Sequence, residues 1–194
     1  TGLASLDSDG FTLGSWSNIN RNSETHVSWN WKANGQGSSN TSGTINSTYT
    51  SANTTSGFSI ITYTGNGSSG ATIGHGLGVV PEVVLIKKLN GADAWFMTAA
   101  SLGWNKYIIL NDDGAESGSS NATYTGTAPT TTVFSVGSDA GVNGSGDTYV
   151  AYVFANVAGF SKVGGIYQGQ GNVDGPLVIC GFKPAWLMYK EVSQ

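Results

Sequence analysis

The chain repeats itself. "GFTLGSWSNINRNSETHVSWNWKANG" (Gly10–Gly35) resembles "VFSVGSDAGVNGSGDTYVAYVFANVAG" (Val133–Gly159). Phe11 matches Phe134, Leu13 matches Val136, Gly14 matches Gly137 and Asn20 matches Asn143, all without a gap. Thr25 then matches Thr148, and Trp29 and Trp31 match Tyr152 and Phe154. A second pair follows. "GFSIITYTGNG" (Gly57–Gly67) resembles "GFSKVGGIYQGQG" (Gly159–Gly171). "GLGVVPEVVLIKK" (Gly76–Lys88) resembles "ICGFKPAWLMYKE" (Ile179–Glu191), aligning Gly78 with Gly181, Pro81 with Pro184 and Lys87 with Lys190. Internal similarity of this kind means that each copy is one supersecondary unit, reused by duplication or as part of a longer array. The order is element A (1–35), a Gly/Ser/Thr/Asn-rich connection (36–56), element B (57–90), a unique segment C (91–132), element A′ (133–158) and element B′ (159–194), where a second unit can begin.

The units are built for strands. No 11-residue window shows a helical repeat, whereas short alternating stretches recur between glycines. "THVSWNWKAN" alternates most cleanly, with Val27, Trp29 and Trp31 on one side and His26, Ser28, Asn30 and Lys32 on the other. "FSIITYT", "EVVLIKKL", "AWFMTAA", "KYIILND", "TVFSVGS", "TYVAYVFANV" and "PLVICGF" are further expected strands. The connection 36–56 reads as a long surface loop or as an edge hairpin around "TINSTYTS". Many short strands with glycine-rich turns predict an all-β, antiparallel β-sandwich, jelly-roll-like and built from the duplicated units. Whether A and A′ share one sandwich or belong to two stays open. The A′ strand is apolar on both faces, which places it centrally in a sheet or against another subunit.

Charged residues are only 10% of the chain and the net charge is −4, against about a quarter charged in ordinary soluble domains. A surface of hydroxyls and amides suits a rigid part working outside a cell. The eight basic residues are scattered, with Lys87-Lys88 the one adjacent pair, so no basic face for nucleic acid is expected. No apolar run reaches the length of a membrane-spanning helix, and no signal-peptide pattern is legible from Thr1. Cys180 is alone, which rules out an internal disulfide; within "PLVICGF" it reads as a small buried apolar side chain.

The candidate chemical groups are few. His75 sits among glycines in "GHGLG" and aligns with Val178, so the position tolerates a non-imidazole side chain. It reads as a ring nitrogen bonded to nearby backbone, since no nucleophile or orienting acid lies beside it in the sequence. Asp-Gly signals such as "NDDG" are the ordinary chemistry of turns; Asp112 and Asp113 in "LNDDGAE" are weak calcium candidates. "GNGSSG" and "GQGNVDG" lack the Lys-Ser/Thr of a phosphate loop. No catalytic residue and no cofactor are expected. Among the aromatic side chains, Trp95, Trp104 and Tyr107 form the candidate glycan-facing patch; the alternative is that they close the sandwich end or line a subunit interface. Trp29 and Trp31 are expected in the core.

The stretches "FSIITYTGNGSSGATIGHGLGVVPEVVLIKK", "VNGSGDTYVAYVFANVAGFSKVGGIYQGQG" and "GFKPAWLMYK" resemble a repeat of bacteriophage tail-fibre and other virion proteins, especially those of marine phages. The resemblance covers Gly57 to Lys190 and, more weakly, Gly10 to Gly35. It departs at B′, where "HGLG" becomes "VICG". Its motifs are structural, so it carries over no active site. It implies a non-enzymatic part of a tail fibre or spike, virion-borne and extracellular, homo-oligomeric and commonly trimeric, contacting other virion proteins and a host-surface glycan. The other readings are a secreted carbohydrate-binding or carbohydrate-active module, a capsid decoration, or an extracellular filament subunit.

Overall fold

The structure, a computed structural model, describes residues 2–118 and 121–193. The ends of elements A and B′ at residues 1 and 194, and residues 119 and 120 of the expected loop "LNDDGAESGSSN", lie outside the described residues. The chain divides into two compact units, Thr1–Trp31 and Lys32–Gln194. The fold is all-β, as the alternation predicts.

In the first unit, β1 (Leu3–Leu6) and β2 (Phe11–Leu13) form an antiparallel hairpin. A four-residue helix, α1 (Ser17–Asn20), follows. The expected strand "THVSWNWKAN" is not a strand, and Trp29 and Trp31 are exposed rather than core.

The second unit is built on a seven-stranded antiparallel sheet. Its strands are β3 (Ser47–Asn53), β4 (Phe58–Thr64), β6 (Val83–Lys88), β7 (Trp95–Ala99), β8 (Lys106–Ile109), β9 (Ser117–Gly118) and β11 (Thr148–Phe154), in the order β3-β4-β11-β6-β7-β8-β9. The connection 36–56 therefore takes its hairpin form, with β3 as the sheet edge beside β4. Strand β11 pairs with β4 on one side and β6 on the other, so A′ is central as its two apolar faces require. A two-stranded sheet of β5 (Ala71–Gly74) and β10 (Val133–Val136) covers one face of the large sheet. Its Ile73, Phe134 and Val136 share a core with Ile61, Tyr63, Val84, Ile86, Tyr149, Ala151 and Val153. The side chains of β11 that meet this core are thus Tyr149, Ala151 and Val153, while Val150, Tyr152 and Phe154 face the other way. "PLVICGF" and the rest of residues 162–193 form no strand, and Cys180 is half-buried rather than core.

A second four-residue helix, α2 (Ala140–Asn143), links β10 to β11. An isolated helix this short does not hold itself together; here its ends are met by side chains. Asp139 accepts from the Gly141 N–H at 2.7 Å. The Tyr149 hydroxyl donates to Ala140 O at 2.5 Å and the Tyr63 hydroxyl to Val142 O at 2.6 Å. The fully buried Asn143 amide donates to Gly137 O at 2.7 Å and Ser68 O at 3.0 Å, and its oxygen accepts from the Asn66 N–H at 2.9 Å. The duplicate helix repeats part of this: Asn20 donates to Gly14 O at 3.0 Å. Trp16 stands where Asp139 caps the other copy and provides no side-chain cap, and His26 stands where Tyr149 does.

Candidate functional site

His75 directly follows β5, next to Gly76, whose φ of +71° turns the chain away from the strand. The imidazole is completely buried. Its Nδ1 accepts from the Leu77 N–H at 3.2 Å, so Nε2 carries the proton and donates to Thr130 O, also at 3.2 Å. Burial pushes its pKa below the usual histidine value, with the Thr130 carbonyl opposing in part. The ring is a neutral clamp between the β5 turn and the segment leading into β10, the backbone-bonded role expected from the sequence. Among the described residues no group of three or more His, Cys, Asp or Glu side chains could hold a metal. Asp112 and Asp113 are exposed, and Asp112 closes a turn by accepting from the Gly114 N–H at 3.0 Å.

The three aromatic residues singled out in the sequence do not share a surface. Trp104 and Tyr107 are half-buried against the main core, with the Tyr107 ring 5.4 Å from that of Phe96. Trp95 alternates with Phe96 on β7, so it lies on the opposite face. There it has different companions. Tyr152 of β11 stacks between two rings, with Trp95 at 6.2 Å and Phe58 at 6.4 Å, at interplanar angles of 23° and 10°. Because β11 and β6 separate β4 from β7, this row crosses the middle of the large sheet. Ile60, Leu85 and Met97 stand half-buried on the same face, and Lys87 lies opposite Trp95 in register. Tyr152 and Phe58 were missed because the sequence shows strand alternation but not which strands lie side by side.

Near the sheet edge a shallow groove of about 550 Å³ is lined by hydroxyl and amide side chains, among them Asn34, Ser38, Asn40 and Thr50. It contains no ionisable group, so it offers hydrogen bonds but no acid–base chemistry. The ion pair between Lys88 and Asp147, at 2.7 Å, ties the end of β6 to the start of β11, and Asn90 binds the same carboxylate at 3.1 Å. Lys88, and then Asn90, hold the Asp147 carboxyl below the ordinary aspartate value. Among the described residues no helix is long and apolar enough to cross a membrane.

A family model described as "Domain of unknown function (DUF7483)" matches residues 1–194, and the chain belongs to that family. No curated protein and no solved structure matches it.

Proposed function

We propose that this DUF7483 member is a non-enzymatic structural β-domain of a phage virion appendage, a tail fibre or spike, whose large sheet offers the stacked Trp95–Tyr152 pair to a host-surface glycan. The observation that carries the glycan contact is the stacked, half-buried pair Trp95 and Tyr152 on the sheet face away from the main core, with the buried Phe58 ring packed against Tyr152. Flat rings on a rigid sheet offer apolar faces to the C–H face of a sugar, at little cost in side-chain freedom. The virion role is supported by the duplicated, low-charge sequence and its likeness to fibre repeats. The hydroxyl-lined groove adds neutral hydrogen-bonding partners of the kind sugars use.

The test is adhesion of the chain to host cells and to a glycan array. Trp95→Ala is expected to abolish binding while leaving the circular dichroism spectrum unchanged. Trp104→Ala, on the core side, is expected to lower the melting temperature and to spare binding below it. Full adhesion by folded Trp95→Ala overturns the glycan reading.

A further inference from the structure

The groove beside β3 combines fixed walls with polar groups that the fold leaves unspent. It lies wholly within the second unit. Thr50 and Ala52 of β3 stand opposite Ile61 and Ser59 of β4, and directly opposed residues share a face. The groove therefore opens on the main-core side of the sheet edge, and Trp95 and Tyr152 lie on the other side.

The wall opposite β3 is the segment 38–42, and it is pinned to the strand. Ser38 and Thr50 exchange both backbone hydrogen bonds, at 3.3 and 2.7 Å. The Ser47 N–H donates to Asn40 O at 3.0 Å, and the Ser39 hydroxyl to Ser47 O at 2.7 Å. The Ser47 hydroxyl accepts from the Asn40 N–H at 2.8 Å. Glycines allow the close approach: an added Cβ at Gly37 would lie 2.3 Å from Thr50 O, and one at Gly74 would lie 2.2 Å from Asn40 Oδ1. Walls held in this way lose little freedom when a ligand enters.

The lining groups are matched to a neutral sugar. Asn40 Oδ1 accepts from the Ser42 N–H at 2.9 Å, which assigns the other end of the amide as the NH2 group. That Nδ2 lies 3.9 Å from where a Gly76 Cβ would stand, and it donates to no protein group among the described residues. The hydroxyls of Ser38, Ser42 and Thr54 and the amide of Asn34 also line the groove and are likewise unspent among the described residues. The floor is apolar. Gly76 has no Cβ, and the Ala52 Cβ and Thr50 Cγ2 methyls face the groove at 3.1 and 3.2 Å from where that atom would be. A pyranose ring has hydroxyls that donate and accept around its rim and an apolar C–H face. No ionisable side chain lines the groove, so nothing in it pairs with a carboxylate, sulfate or phosphate. The volume of about 550 Å³ falls within the roughly 300–1,000 Å³ of small-ligand sites.

We propose that this groove is a second carbohydrate site, specific for neutral sugars, with Asn40 Nδ2 donating to a sugar oxygen. It goes beyond the Trp95–Tyr152 contact and needs neither ring. Neutral hydrogen bonds open to water each contribute little net free energy, so a Kd of about 1 mM is expected.

The test is proton–nitrogen correlation NMR of the full chain with maltotriose, cellotriose, mannotriose and N,N′,N″-triacetylchitotriose. Each is added to about 10 mM, well above that Kd, and trigalacturonic acid serves as the charged counterpart. At least one neutral sugar is expected to shift the Asn40 side-chain NH2 and the Ser38 and Thr54 backbone amides saturably, and trigalacturonate is not. Asn40→Asp keeps the oxygen that Ser42 bonds and replaces the donor with an acceptor; it is expected to weaken binding at least about fivefold. Unchanged urea unfolding verifies its fold. Should it not fold, Thr54→Ala, in the exposed turn after β3, decides in its place with an expected loss of about twofold or more. Trp95→Ala is expected to keep the groove shifts whatever it does to adhesion, which separates failure here from failure of the aromatic contact. Four results overturn the inference: no groove shift with any neutral sugar, an equal or larger shift with trigalacturonate, unchanged affinity in the deciding variant, or loss of the groove shifts in folded Trp95→Ala.

Discussion

The rings of Tyr63 and Tyr149 stack 5.2 Å apart, and both hydroxyls end on carbonyls of the same four-residue helix, Tyr63 on Val142 and Tyr149 on Ala140. Two neighbouring strands, β4 and β11, thus hold α2 against the sheet from one cross-strand pair.

Tyr63→Phe removes one of these donors and leaves the Val142 carbonyl buried without it. The expected loss is about 1–3 kcal/mol, read as a lower urea midpoint at unchanged slope. Burial also raises the Tyr63 pKa well above its ordinary value of 10.0. The folded chain therefore holds its proton where the unfolded chain would release it. Stability is present in full below pH 10 and falls as pH rises beyond it. A flat stability profile through this range contradicts the burial.

His75 sets the acid side. Its folded pKa lies below the ordinary 6.5, so the unfolded chain takes up a proton that the folded one refuses. Stability is present above about 6.5 and is lost as pH falls from there through the folded value. His75→Val, the residue type of the second copy at Val178, is expected to weaken this acid-side loss. It also strands the Leu77 N–H and Thr130 carbonyl, at a cost of about 1–3 kcal/mol at pH 8. Urea midpoints at pH 8 and pH 5.5 for both chains measure the two effects separately.

The matched asparagines provide an internal control. Asn143 is fully buried and holds Gly137, Ser68 and Asn66 at once; Asn20 is exposed and holds Gly14. Asn143→Ala should cost about 3 kcal/mol or more, and Asn20→Ala less than about 1 kcal/mol. Equal losses in thermal unfolding would contradict the difference in burial.

Gly137 has no room for a side chain: an added Cβ would lie 1.8 Å from Ala122 O. That carbonyl is itself fixed by the Asp139 N–H at 2.8 Å. Gly137→Ala must therefore displace backbone, and a loss of about 3 kcal/mol or more is expected in urea unfolding.

Much of the strand inventory was legible in the chain. β4, β6, β7, β8, β10 and β11 lie within stretches whose alternation and flanking glycines mark them, and the His75 turn followed from its glycines. The aromatic row was not legible. Trp95 was found, but Trp104 and Tyr107 alternate or fold onto the core side, and Tyr152 and Phe58 meet Trp95 only because β11 lies between β4 and β6. The short strand β5 carries too little alternation in four residues to stand out before β10 pairs with it.

Elements A and A′ separate the two levels. Local order is set along the chain: both copies make the short helix after a strand, and both place their asparagine amide on the matching glycine carbonyl. Whether the following stretch becomes a strand is decided elsewhere. Thr148–Phe154 has β4 and β6 to accept its backbone hydrogen bonds and bury its side chains; His26–Lys32, with the cleaner alternation, joins no ladder and is no strand. A helix closes its hydrogen bonds within its own residues, but a strand closes them on another stretch of backbone, and only the tertiary structure supplies that.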